Sequence, residues 1–161
     1  MTGKIEARLT ELGFTLPAVV PPVAAYVPAV LDGDRVWTSG QLPFVDGALP
    51  VAGRVGSGGD GWVDPAEAAG LARICALNAL AAAKTVLGDL DRIVRVVKVV
   101  GFVASDPSFT GQPLVINGAS EFLAEVFGAA GVHARSAVGV AALPLGAPVE
   151  VEMVFAVTDR A

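Results

Sequence analysis

One cysteine, one histidine and one tyrosine are all that the 161-residue chain holds of three residue types on which much enzyme chemistry rests. A single Cys75 excludes an intrachain disulfide and any cysteine-based metal cluster. A single His133 excludes His-rich metal sites and leaves a His-dependent triad little to build on. No metal is therefore expected. Charge is scarce too, at 17% of residues against about 25% in an ordinary soluble domain. Basic residues are outnumbered 11 to 16, giving a net charge of -5. That is the wrong sign for phosphate-backbone attraction, so no nucleic-acid partner is expected. Neither Gly53-Arg-Val-Gly56 nor Gly56-Ser-Gly-Gly59 has the strand-to-helix context of a phosphate-binding loop.

What the chain has in excess is apolar side chain, 53% of residues, with a mean hydropathy of +0.63. The longest early uncharged stretch, Phe14 to Leu31, is interrupted by Pro17, Pro21, Pro22 and Pro28, which a lipid-facing helix does not absorb. The charged N-terminus lacks the apolar core of a secretory signal. A cytoplasmic protein without a membrane partner is expected. Apolar excess without a membrane implies surface buried against other copies of the chain.

Along the chain, Ile5, Leu9 and Leu12 fall on one helical face, with Glu6 and Glu11 facing away, which predicts a docked helix over about 3–13. Tyr26–Leu31 and Arg35–Ser39 flank Asp32-Gly33-Asp34 and read as a hairpin. The Gly- and Pro-rich stretch 43–64 reads as a long loop with one short strand near 51–55. Asp64-Pro65-Ala-Glu67 combines an N-cap, proline at the first helical position and an acidic third residue, and opens a helix that Gly88 closes. Ile93–Val103 is apolar on both faces, as a central strand is. A second helix is expected over 113–127 with Leu114, Phe122 and Val126 inward. His133–Val140 and Val149–Val157 then read as a hairpin about Leu145 and Gly146. The order implies a single α+β domain over 1–161, with two helices on one face of a mixed sheet.

Arg135 is the only permanent charge between Gly131 and Val149. Either it lies at a strand edge and reaches water, or it clamps an anion, which its planar fork binds bidentately. In the expected hairpin, Glu152 pairs near Gly139 and Glu150 lies farther off, too distant to neutralise Arg135. Glu150 and Glu152 share one strand face, which is either solvated or functional. Tyr26, Ser39-Gly40 and Asn117 are further candidates, each with a plain alternative as core, turn or cap. His133 is either an acid or base or a surface residue, and Cys75 reads as inert core.

Thr38-Ser-Gly-Gln-Leu-Pro43, Leu87-Gly-Asp-Leu-Asp-Arg-Ile93, Val96-Val-Lys-Val-Val-Gly-Phe-Val103, Ala134-Arg-Ser136, Leu143-Pro144 and Val149-Glu-Val-Glu152 together resemble the Rid (YjgF) family of enamine/imine deaminases, in its longer form. The resemblance covers the chain from about Tyr26 onward. It implies a chorismate-mutase-like fold, a homotrimer with clefts between subunits, and cofactor-free hydrolysis of small 2-imino acids. It further implies that Arg135 holds a substrate carboxylate and that Glu150 positions or activates water. Tyr26, Ser39, Gly40, Asn117 and the strand around Ala137 would complete the binding site. Many deaminating members carry cysteine where this chain has Ala137. A metabolite-sensing trimer that only binds small carboxylates is the alternative, and a ribonuclease or translation inhibitor ranks behind both.

Overall fold

The computed structural model describes residues 3–19 and 25–158, so the expected proline breaks at Pro21 and Pro22 lie outside the described residues. The N-terminal helix forms as α1 (Lys4–Glu11) with Leu9 buried. Its docking uses polar groups as well. The backbone N–H groups of Lys4 and Ile5 donate to the Asp91 carboxylate at 2.7 and 2.8 Å, filling donors that a first helical turn leaves open. Glu6, expected to face away, instead turns inward to pair with Lys84 at 2.6 Å.

A two-residue turn at Gly33-Asp34 joins β1 (Ala29–Asp32) to β2 (Arg35–Thr38), with Asp32 opposite Arg35 and Gly33 at a positive φ of 56°. The long loop holds two short strands where one was expected. β3 (Arg54–Val55) and β4 (Trp62–Val63) pair in parallel, and two residues are too few to show alternation in a sequence.

Helix α2 (Pro65–Leu87) starts and stops where its end signals lie, and Gly88 adopts φ 77°. The Asp64 side chain accepts from Ala66 N–H at 2.8 Å. Asp64→Ala is expected to cost about 1 kcal/mol in urea unfolding by leaving that donor open. By length and composition α2 would cross a membrane, but its Ala- and Leu-rich surface is spent against the sheet and α3 (Gln112–Phe127). In α3, Phe122 and Val126 face inward as expected. Leu114 does not. It is 71% exposed, because Val115 and Ile116 occupy the inward face of that first turn.

The larger correction concerns the last two strands. β6 (Ala134–Val140) and β7 (Val149–Val157) do not form a hairpin. Both pair with β5 (Ile93–Ala104), β6 in parallel and β7 antiparallel, in the order β1-β2-β7-β5-β6. An apolar strand open on both edges gains most by taking a partner on each side, and residues 141–148 are long enough to cross its end. The mixed α+β sheet then presents Val99, Val103, Val151, Met153 and Phe155 to the helices, all buried. Its other face bears Trp37, Glu150, Glu152, Val100, Phe102 and Val138, and among the described residues no helix covers it.

Candidate functional site

Register decides which candidates meet. Arg135 pairs with Val99, which pairs with Met153, so its side chain shares the helix-facing side of the sheet. There Nη1 donates to Asn117 Oδ1 at 2.8 Å and to Ser120 Oγ at 3.1 Å, both on α3. Among the described residues, Nε and Nη2 of Arg135 have no hydrogen-bond partner and no carboxylate lies within ion-pair range. Half-buried Arg135 thus neither pairs internally nor extends freely into water.

Ser120 was not singled out from the sequence. Its signal was available: it lies three residues after Asn117, on the same helical face. It also bonds His133, with Oγ 3.0 Å from Nε2, while His133 Nδ1 lies 2.7 Å from the Gly131 carbonyl. His133 is therefore a fixed, half-buried member of the cluster and not a free surface residue. A groove of about 340 Å³ opens beside it, walled by Arg95, Val96, Val97, Val132 and Ala134. Ala137, also on the helix side, packs against the apolar core and brings no polar group to the site.

Glu150 belongs to a second cluster on the opposite face. It pairs across β5 with Phe102, beyond which lies Val138. It is thus two strands, or about 10 Å, across from β6, and about 10 Å further along it from Arg135. Gln41 and Val151 exchange backbone hydrogen bonds of 2.8 and 3.0 Å, which lays Gly40 against the Glu150 side chain. A Cβ at residue 40 would run into the Glu150 carboxylate, so any larger residue there would push that side chain from its present position. Ser39 spends its hydroxyl on the Val27 carbonyl at 2.6 Å, and Tyr26 is 51% exposed at the β1 end of the sheet. Within one chain, then, Arg135 and Asn117 converge, Gly40 and Glu150 converge, and the two pairs stay apart.

Burial raises the Glu150 carboxyl above the usual carboxylate range, and the charge of Glu152 adds to the shift. Cys75, fully buried, has its thiol pushed up by the same desolvation, with the Glu150 charge second. The folded chain therefore binds the Glu150 proton more tightly than the unfolded chain does. The stability linked to that proton is present below the unfolded pKa and is lost as pH rises through the folded one. Glu150→Gln should raise the melting temperature at pH 8 and leave it nearly unchanged at pH 4, read by thermal scans of both proteins.

Comparison with known proteins agrees with this fold. Residues 6–157 match the family described as "YjgF/chorismate mutase-like, putative endoribonuclease", and the chain belongs to it. Protein TCP17 of Trypanosoma cruzi is 45% identical, over 94% of this chain and 92% of that one. Among solved structures, protein Atu1372 of Agrobacterium tumefaciens superposes with a TM-score of 0.86 at 49% identity, covering 96% of this chain and 93% of the other. A Shewanella oneidensis protein carrying the same endoribonuclease description reaches 0.88 at 31% identity, covering 95% and 99%.

Proposed function

We propose that the chain is a subunit of a homotrimer that hydrolyses small 2-imino acids, or their enamine tautomers, to 2-oxo acids and ammonia without a cofactor. One observation carries the reading: a half-buried guanidinium is held by α3 through a single nitrogen, with its remaining donors unpartnered among the described residues. Such a group binds a small carboxylate and keeps its charge at any working pH. An imine carbon is already electrophilic, so fixing the carboxylate removes much of the entropic cost of attack.

Glu150, made more basic by its burial, takes a proton from water as the oxygen bonds to the imine carbon. The C=N π pair moves to nitrogen, which takes that proton back from Glu150. Glu150 then takes the hydroxyl proton of the resulting carbinolamine and returns it to the amino nitrogen, so that the C=O forms as the C–N pair leaves with that nitrogen as ammonia. Since Arg135 and Glu150 lie on opposite sheet faces, a complete site takes Arg135 from one subunit and Glu150 from the next. The uncovered face supports such an assembly: Trp37 is 52%, Val30 49% and Val138 45% exposed on it.

Ala137 favours a second reading, a trimer that binds small carboxylates without turning them over, because it offers no reactive group beside Arg135. Imines generated in situ by an amino-acid oxidase separate the two readings. The same assay tests the shared site. Arg135→Ala and Glu150→Gln, each inactive alone, should recover about a quarter of wild-type activity when unfolded and refolded together in equal amounts, since one site in four draws both intact residues from random subunits. No recovery on mixing would remove the inter-subunit site.

A further inference from the structure

Arg135 Nη1 has two hydrogens, and both are in use, one on Asn117 Oδ1 at 2.8 Å and one on Ser120 Oγ at 3.1 Å. The second bond depends on where the Ser120 hydroxyl proton points. The Gly131 carbonyl, 2.7 Å from His133 Nδ1, can only accept, so Nδ1 carries the ring proton and Nε2 accepts when the ring is neutral. Ser120 Oγ, 3.0 Å from Nε2, then donates there and turns its lone pairs toward Arg135. Were that hydroxyl free to rotate, it could aim its proton at Nη1 and set two donors face to face.

With Nη1 saturated, the end-on edge of the guanidinium is closed to ligand. Nε and Nη2 remain, and they present two parallel N–H bonds at the spacing of a carboxylate. We propose that Ser120 and His133 are positioning residues that select this edge, so that a carboxylate docks side-on through Nε and Nη2. This rests on Arg135 being the carboxylate anchor. His133 directs one proton, and the hydroxyl it directs fixes the plane of the fork. Asn117 cannot do so alone, because a single hydrogen bond leaves the guanidinium free to pivot about it.

The consequence is selectivity for a two-oxygen anion over an uncharged amide of the same shape. Calorimetry on the assembled protein reads it with two probes, 2-oxobutyrate and 2-oxobutyramide. Ser120→Ala and His133→Ala should each weaken 2-oxobutyrate binding about tenfold, the scale of one charge-assisted hydrogen bond, and leave the amide nearly unchanged. Ser120→Thr, which keeps the hydroxyl, should restore the preference. In an Arg135→Lys background, with no fork to orient, Ser120→Ala should add nothing further. General damage to the fold would weaken both probes alike, and that outcome overturns the positioning role. If Arg135→Ala leaves 2-oxobutyrate binding intact, the anchor itself falls. If Arg135→Ala abolishes binding while Ser120→Ala and His133→Ala keep the wild-type preference, the anchor stands and the positioning role is overturned.

Discussion

Replacing Arg135 by alanine is expected to lower kcat/KM for in situ generated imines by at least about a hundredfold, the usual scale for removing one partner of a part-buried, hydrogen-bonded charge pair. The fold should survive. Arg135 is half-buried at the β6 edge and makes no ion pair among the described residues. Its loss frees only Asn117 Oδ1 and Ser120 Oγ, both of which water can satisfy. Arg135→Lys should fall between the two, since it keeps the charge and loses the fork. Light scattering and melting curves on each variant separate a lost anchor from a lost assembly. Wild-type rates in Arg135→Ala would end the deaminase reading.

Replacing Gly118 by alanine is expected to cost about 2 kcal/mol or more, the largest stability loss foreseen for so small a change. A Cβ there would stand 1.8 Å from the Ala69 carbonyl oxygen and 2.6 Å from its carbon, both backbone atoms of α2. Side chains can rotate out of such a contact, but a helix backbone cannot. α2 and α3 would have to separate along their whole interface, where Ala72, Ala76, Ile116 and Ala119 are fully buried. Helix propensity opposes the loss, because alanine is favoured over glycine by about 1 kcal/mol, but it does not match it. Gly70→Ala in α2 is the control. Nothing lies within 4 Å of its added Cβ, so propensity acts alone and the protein should become slightly more stable. Chemical denaturation of the two variants, with opposite signs expected, checks the close approach of the helices.

Elements were legible in the sequence where punctuation and periodicity agree locally. Asp64-Pro65 and Gly88 bracket α2 to the residue, and Gly33 marks the β1–β2 turn. Pairing across the sheet was not legible, because two neighbouring β segments look like a hairpin whether or not a third strand lies between them. Only the two-sided apolar character of β5 pointed to strands on both its edges. The same error hid the site's division, since Arg135 and Glu150 were expected to be separated along a hairpin and are instead separated by a strand and by the sheet itself. Ser120 was overlooked, and His133 read only as an acid or base or a surface residue, for a different reason. Hydroxyl and imidazole groups gain meaning here through what they touch, and spacing from Asn117 and Arg135 shows only that contact is geometrically open.

The uncovered sheet face carries one further consequence. If each working cleft needs two chains, a folded subunit alone is inert, and rate per subunit depends on how much protein is present. Below the concentration at which subunits associate, velocity would rise more steeply than in proportion to enzyme added. Abundance would then act as a threshold: a modest fall in expression would silence the activity while every remaining chain stayed native.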